Sequence, residues 1–235
     1  MLNKVNIILI FSVLVTNIYG VNTEIYSKGS SSAKTLALFL YMGNESLGAE
    51  QANEFANIYR EEAKAEGINW DVAFVQMCLE TGFLKYGGLI HNTQNNYCGL
   101  GSFDGKQGAS FSTIREGVRA HVQHLKAYSS FDSLNKQLVD PRFGLVRRGS
   151  ATNVIELAGL WAEDTKYGHK LISLLKRVKS LESRNEVFLA TVPLLKVKEI
   201  EFNSIDNENT GAKNSKNINN NIEKNIEKKK IGWLG

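Results

Sequence analysis

The feature that most constrains the fold is an apolar segment, from Asn69 to Leu84, whose hydrophobic side chains recur at helical spacing. Gly82 lies near its end and is a natural stop signal, because glycine tolerates the left-handed conformation that commonly ends a helix. The segment therefore predicts a helix that carries one carboxylate, Glu80, in its last turn, beside the apolar side chains of Leu79 and Phe83.

The position of Glu80 predicts an altered acidity for this side chain. The negative end of the helix dipole and partial desolvation both raise the pKa of a carboxyl group at such a place. A carboxylic acid that stays protonated near neutral pH has the property that glycosidic-bond cleavage requires of its proton donor. A solvated glutamate at a helix end is the alternative that this segment alone leaves open, since most glutamates are exposed.

Further helices are predicted along the chain. Helical spacing and strong helix formers indicate them over residues 35–42, 49–66, 112–128, 152–162 and 165–181. The stretch between Gly87 and Phe111 is instead rich in glycine and asparagine, and its Asp104-Gly105 pair is a strong hairpin turn signal. We therefore expect a mainly α (α+β) domain with a small β-hairpin next to the helix that carries Glu80.

The two ends of the chain differ from its middle. In residues 1–20, Lys4 precedes a short apolar run, which is typical of a secretory signal peptide; an uncleaved anchor stays open because Ile18 is not the small residue expected near a cleavage site. Residues 21–34 are interpreted as a linker and 35–185 as the folded domain. Residues 193–235 form a low-complexity tail, which we expect to be disordered because it buries too little apolar surface. We expect an exported protein of the periplasm or cell envelope.

Charge and cysteine usage exclude some classes of site. The net charge of +4, from 28 basic and 24 acidic residues, is far short of a nucleic-acid-binding signature, although it would favour weak contact with an anionic envelope surface. Cys78 and Cys98 either form one disulfide or are two buried thiols. They cannot build a zinc site unaided, and His121 and His124 lack a matching cluster, so neither a metal nor a cofactor is expected.

The order of several short blocks is more specific than any block alone. The chain carries Glu80-Thr81-Gly82, then Asn95-Asn96-(x2)-Gly99, and later Trp161-Ala162-(x4)-Tyr167-Gly168. This ordered set, over roughly residues 35–180, resembles the bacterial N-acetylglucosaminidase family of peptidoglycan hydrolases, glycoside hydrolase family 73, and especially its Bax-like branch with a mannosyl-glycoprotein endo-beta-N-acetylglucosaminidase-like domain.

The resemblance implies a lysozyme-like helical domain with a small β-hairpin lobe bordering a cleft. It also implies cleavage of the β-1,4 bond between N-acetylglucosamine and N-acetylmuramic acid in peptidoglycan glycan strands. Glu80 matches the family's general acid, and Tyr167 matches a tyrosine proposed to line the −1 subsite, although packing of the last helix would also explain it. Asp104 is the best-placed second carboxylate; a simple Asp-Gly turn, with the substrate's acetamido group as the second catalytic group, is its alternative.

A further set of residues is expected to bind the substrate: Gln76, Asn95, Asn96, Tyr97 and Phe103. Asn96 matches an asparagine of the family's cleft, whose amide can bind sugar hydroxyls. A loop asparagine that bonds its own backbone is the alternative for Asn96, and a place in the core of the hairpin is the alternative for the two aromatic residues.

Two other functions compete with this prediction. A muramidase or lytic transglycosylase would also use a single glutamate in a similar cleft. A non-catalytic glycan-binding or scaffold protein would belong to another class, and the intact Glu80 motif argues against it.

Overall fold

The computed structural model describes residues 20–88, 91–102 and 108–185. This part of the chain is mainly helical, which confirms the helical part of the predicted class. Its helices are α1 Ala33–Gly43, α2 Ala49–Glu66, α3 Trp70–Glu80, α4 Ile114–Ser129 and α5, which covers residues 167–185. Short 3₁₀-helices lie at Glu45–Leu47, Asn92–Gln94, Phe143–Leu145 and Val154–Leu157.

The junction between α2 and α3 is set by two adjacent capping residues. Gly67 ends α2 in the left-handed conformation, with φ 76°, which glycine adopts without strain. Asn69 then starts α3, because its side-chain oxygen accepts hydrogen bonds from the backbone N–H groups of Asp71 and Val72. The chain therefore turns directly from one helix into the next, as predicted.

Helix α3 is the centre of the hydrophobic core. Every residue from Trp70 to Cys78 is buried, and the side chains of the other helices pack around it. The Phe74 ring, for example, meets the Tyr59 ring of α2 edge to face at 5.5 Å. Only at its C-terminal end does the helix leave the core, so that Leu79 is half-buried and Glu80 is exposed. The fold thus brings one carboxylate to the surface at the end of an otherwise buried helix.

The turn after Glu80 has an unusual backbone. Three consecutive residues, Gly82, Phe83 and Leu84, have positive φ angles of 57°, 60° and 61°. The Thr81 side chain explains this in part, because its hydroxyl donates to the Met77 carbonyl at 2.7 Å and accepts from the Leu84 N–H at 2.8 Å. The helix therefore ends at Glu80, two residues before Gly82, the predicted stop signal.

The predicted β-hairpin is not confirmed. Its turn, with Phe103 and Asp104, lies outside the described residues, and no strand is present in the described residues on either side of it. The two sides nevertheless approach each other, because the Ala109 N–H donates to the Leu100 carbonyl at 2.8 Å.

The predicted helix over residues 152–162 is wrong. Only the 3₁₀-helix Val154–Leu157 forms there, followed by turns. The Glu156 carboxylate caps this short helix by accepting from the backbone N–H groups of Thr152 and Asn153. Gly159, at φ 81°, then takes the chain out of the helical conformation, which places Trp161 in a turn.

The segment 21–34 packs against the helices and is not a free linker. Ile25 is fully buried, and its backbone bonds to Thr152 and to Asn69. Ser30 and Ser31 donate their backbone N–H groups to the Asp71 carboxylate. The buried side chain of Ile25 and the carboxylate of Asp71 therefore order a segment that was interpreted as a linker.

The predicted signal peptide and tail lie largely outside the described residues. Residues 1–19 and 186–235 are not described, so both assignments stay predictions. In the described ranges, no helix combines the length and the apolar character needed to cross a membrane.

Candidate active site

Glu80 lies where three parts of the chain meet. Its Oε1 accepts a hydrogen bond from the hydroxyl of Tyr167, at the start of α5. The same oxygen accepts a second bond, of 3.1 Å, from the indole Nε1 of Trp161, in the turn before α5. The structure therefore brings together Glu80 and Tyr167, two of the predicted site residues, and adds Trp161 to them.

The surroundings of Glu80 act on its pKa in opposite directions. Although the residue is exposed on one side, the protein removes much of the hydration of its carboxylate, and this desolvation raises the pKa above the ordinary value. The bonds from Tyr167 and Trp161 stabilise the charged form and lower the pKa by a smaller amount. The net shift is upward, as predicted for this position.

Tyr167 is a neutral hydrogen-bond donor. It is buried, and desolvation together with the nearby charge of Glu80 raises the pKa of its hydroxyl far above the usual range. Its oxygen also accepts a 2.8 Å hydrogen bond from the side-chain Nε2 of Gln76. The hydroxyl is thus held on both sides and keeps its proton at neutral pH.

Behind Tyr167 the hydrogen bonds continue into the core. Gln76, predicted to contact the substrate, is fully buried, and its Oε1 lies 3.0 Å from Nε2 of His121. The other ring nitrogen, Nδ1, lies 3.0 Å from the hydroxyl of Tyr59. Since both amide atoms of Gln76 bond to protein groups, this side chain supports Tyr167 instead of facing a sugar.

Trp161 is held by a group of aromatic rings from α4. Its ring lies 5.1 Å from that of His124, 5.7 Å from that of Tyr128 and 5.8 Å from that of His121. His124 is fixed in turn, because its Nδ1 lies 2.8 Å from a carboxylate oxygen of Asp140. The spacing of His121 and His124, considered above for a metal, thus places two rings against one indole.

The predicted asparagines organise a loop. Asn96 is fully buried; its amide nitrogen donates to the carbonyls of Leu100 and Ala109, and its oxygen accepts from the Leu100 N–H. Tyr97 is also buried and donates its hydroxyl to the side chain of Asn95 at 2.9 Å. The contacts of Asn96 agree with its structural alternative, a loop asparagine that bonds backbone groups. Tyr97 packs in the main core, where its ring meets the Phe55 ring of α2 at 5.2 Å.

Two of the predicted site residues lie outside the described part of the chain. These are Phe103 and Asp104, so the separation of the Glu80 and Asp104 carboxyl groups stays unassigned. The structure shows Cys78 and Cys98 as free, buried thiols, in agreement with the second alternative for this pair. Among the described residues no group of three or more His, Cys, Asp or Glu side chains forms a metal-binding cluster.

Sequence reasoning missed the roles of Trp161 and His121. Trp161 was considered only as part of a sequence block, and His121 only together with His124 as a possible metal-binding pair. The available signal was the apolar stripe of α4, which carries both histidines toward the core, together with the fixed spacing of Trp161 and Tyr167. Neither signal identifies which residue, distant in sequence, each of these side chains contacts.

Comparisons with known proteins cover the same region. Residues 56–180 match the family model Glucosaminidase, described as mannosyl-glycoprotein endo-beta-N-acetylglucosaminidase. A protein of Borreliella burgdorferi, described as uncharacterized, is 39% identical over 161 residues, which cover 68% of this chain and 79% of that protein. No solved structure is significantly similar. Gln76, Glu80, Trp161 and Tyr167 all lie within the range that the family model matches.

Proposed function

We propose, because this chain belongs to the glucosaminidase family of glycoside hydrolases, that it cleaves the β-1,4 bond between N-acetylglucosamine and N-acetylmuramic acid in peptidoglycan, with Glu80 as the general acid. One observation carries the proposal. The Glu80 carboxyl group lies at the exposed end of a buried helix, with a raised pKa and two donors on one oxygen.

The geometry suits the transfer of a proton to a leaving group. Desolvation favours the neutral acid before the reaction, and this is the form that can donate a proton. When Glu80 gives this proton to the glycosidic oxygen, the bond to the sugar breaks and the carboxylate becomes charged. Tyr167 and Trp161 then stabilise the new charge through hydrogen bonds that are already in place.

A second group must stabilise the positive charge that develops on the sugar. Asp104 and the acetamido group of the substrate are the two candidates. The variant Asp104→Asn separates them. A fall in kcat of about 10² or more, the scale of direct acid–base participation, supports Asp104. A smaller fall supports the acetamido group.

The proposed function is tested by digestion of purified sacculi and mass spectrometry of the products. The wild-type protein is expected to release fragments with N-acetylglucosamine at the reducing end. Fragments with a reducing or anhydro N-acetylmuramic acid end would instead identify a muramidase or a lytic transglycosylase.

Glu80→Gln is expected to bind the glycan without cleaving it. Equal cleavage by wild type and variant would remove Glu80 from the mechanism, and binding without cleavage by both would favour a scaffold protein.

The substrate bears on the location of the protein. Peptidoglycan lies outside the cytoplasmic membrane, and residues 1–20 resemble a secretory signal peptide. We therefore place the protein in the periplasm or cell envelope, with glycan strands as its partner. Detection of the protein in envelope fractions of the cell tests this placement.

A further inference from the structure

One continuous hydrogen-bonded chain runs from the surface into the core. It joins Glu80, Tyr167, Gln76, His121 and Tyr59 in that order. The last three side chains are fully buried, so none of them can reach a substrate at Glu80. Burial of a polar side chain is unfavourable unless every polar atom has a partner, and here the partners are the neighbouring members of the chain.

The carboxylate end determines the direction of every bond. A carboxylate oxygen only accepts, so the Tyr167 hydroxyl donates to Glu80, and its oxygen lone pair accepts from Nε2 of Gln76. The amide oxygen of Gln76 therefore faces His121, whose Nε2 must carry a hydrogen. The other nitrogen of a neutral imidazole is then an acceptor, and the Tyr59 hydroxyl donates to it.

The buried members keep one protonation state. Desolvation lowers the pKa of His121 to about 3, and the nearby His124 adds to this effect, so the ring is neutral at physiological pH. Desolvation also raises the pKa of the Tyr59 and Tyr167 hydroxyls, which stay protonated. The direction of the hydrogen bonds in this chain is therefore fixed over the pH range in which a hydrolase works.

The groups that face the two ends of this chain come from several elements. Glu80 is faced by Tyr167 and Trp161, and its charge also reaches the thiol of Cys98. His121 is faced by Tyr59 from α2, Gln76 from α3, His124 from its own helix and the ring of Trp161. Glu80 is the carboxyl group among them, and its ionisation is the one that the others adjust.

We propose that Gln76 and His121 are positioning residues, which act through Tyr167 to keep its hydroxyl donating to Oε1 of Glu80. The inference rests on the proposed function for its catalytic meaning. With two donors on Oε1, from Tyr167 and Trp161, the transferable proton of the neutral acid is carried by Oε2. The buried hydrogen-bonded chain thus determines which carboxyl oxygen of Glu80 delivers the proton.

The loss of one donor would reverse part of this chain. Without the N–H of His121, the Gln76 amide is free to rotate and present its oxygen to Tyr167. The Tyr167 hydroxyl then donates to Gln76 and no longer to Glu80. The Glu80 carboxylate loses a stabilising bond, so its pKa rises and the charged product of proton transfer becomes less stable.

A matched pair of variants at His121 tests the proposal. A glutamine places its amide nitrogen near the former Nε2, whereas an asparagine reaches only the former Nδ1. His121→Asn is expected to lower kcat about tenfold, the scale of one hydrogen bond, with KM unchanged and the basic limb of the pH profile moved to higher pH. His121→Gln is expected to stay close to wild type in both respects.

A second measurement does not depend on activity. Carbon-13 labelled glutamate reports the titration of each carboxyl group by NMR, and the Glu80 signal is assigned by its loss in Glu80→Gln. The Glu80 titration is expected to move to higher pH in His121→Asn and to stay in place in His121→Gln. Identical titration in all three proteins would overturn the positioning role, even if the wild type cleaves peptidoglycan.

The two proposals can therefore fail separately. A wild-type protein that does not cleave peptidoglycan contradicts the proposed function, while the Glu80 titration still tests the hydrogen-bonded chain. If His121→Asn does not fold, as judged by circular dichroism and thermal unfolding, Tyr59→Phe replaces it, because this change removes one hydroxyl and keeps the ring. A smaller shift in the same direction is then expected, and an unmoved titration overturns the proposal.

Discussion

The chemical properties of Glu80 follow from its position at the point where helix α3 leaves the core. Nine consecutive buried residues, Trp70 to Cys78, precede it, and two donors from distant parts of the chain meet its Oε1. Desolvation favours the neutral acid and the donors favour its conjugate base, so the two influences partly offset each other. The role proposed for Glu80, in which it gives and regains a proton, requires such a balance.

Removal of the Tyr167 hydroxyl tests this balance. We expect Tyr167→Phe to lower kcat about 100-fold, the scale of one preorganised donor. The variant should also move the basic limb of the pH profile to higher pH, because a bond that lowers the Glu80 pKa is lost. The measurement is kcat against pH on soluble glycan fragments.

Tyr26→Phe is the matched control for this variant. It also removes one tyrosine hydroxyl, which donates to Asp132 at 2.5 Å on an exposed part of the molecule. Its pH profile should equal that of the wild type. If the basic limb of the pH profile does not move in Tyr167→Phe, the assignment of Tyr167 as a hydrogen-bond donor to Glu80 is contradicted.

At the scale of elements, local signals set the bounds of the helices, but helical periodicity captures only some of these signals. The limits of α2, Ala49–Glu66, follow from helix formers and from Gly67, and they were predicted correctly. The stretch over 152–162 has a helical pattern, yet the capping carboxylate of Glu156 and the left-handed Gly159 limit it to one short 3₁₀-helix. Helical periodicity does not reveal either effect.

The loop before α4 depends on one close backbone approach. A Cβ atom on Gly117 would lie 1.8 Å from the carbonyl oxygen of Asn95. We expect Gly117→Ala to destabilise the protein by about 1–3 kcal/mol, because one backbone must move away from the other. Urea unfolding measures the change.

Gly144→Ala serves as the control in the same assay. A Cβ atom at Gly144 would meet nothing within 4 Å, so this variant should unfold within about 0.5 kcal/mol of the wild type. Equal stability of the two variants would contradict the close approach at Gly117.

Contacts across the chain explain why the site was only partly predicted. Glu80 and Tyr167 were recognised from sequence blocks, because each lies in a short specific pattern. The bond between Gln76 and Tyr167 spans 91 residues, and the one between Tyr59 and His121 spans 62, so no local pattern contains them. Burial, which separates a positioning residue from one that meets a sugar, appears only when the helices are packed.

At the scale of the whole molecule, an ionic cluster joins α2 to α4 and thereby holds Tyr59 next to His121. Glu62, whose side chain is fully buried, pairs with Arg115 at 2.9 Å, Arg119 at 2.9 Å and Lys136 at 3.0 Å. Burial alone would raise the pKa of Glu62, but the hydrogen bonds from these cations outweigh it and lower the pKa to about 2.

This depressed pKa predicts an acid-dependent stability. In the unfolded chain Glu62 titrates near 4.5, so its contribution is complete above that pH and disappears as the pH falls through about 2. We expect Glu62→Gln to cost about 2 kcal/mol at neutral pH, the scale of a charge-assisted hydrogen bond. The difference from the wild type should shrink between pH 4.5 and 2. Urea unfolding at a series of pH values measures it.

Glu61→Gln is the control for the cluster. Glu61 pairs with Arg115 at 2.8 Å but is 59% exposed, and pairs of this kind contribute little. Its variant should differ from the wild type by less than about 0.5 kcal/mol at any pH. An effect as large as that of Glu62→Gln would show that burial does not distinguish the two carboxylates.

The long separation of Glu80 from its two donors also bears on the order in which the protein is made. A growing chain that has reached the end of α4 already holds Glu80, Gln76, His121 and Tyr59, but neither Trp161 nor Tyr167. The acid receives its donors only after synthesis has passed residue 167. A chain that ends before Trp161 lacks both donors to Glu80, and it therefore lacks the arrangement on which the proposed function depends.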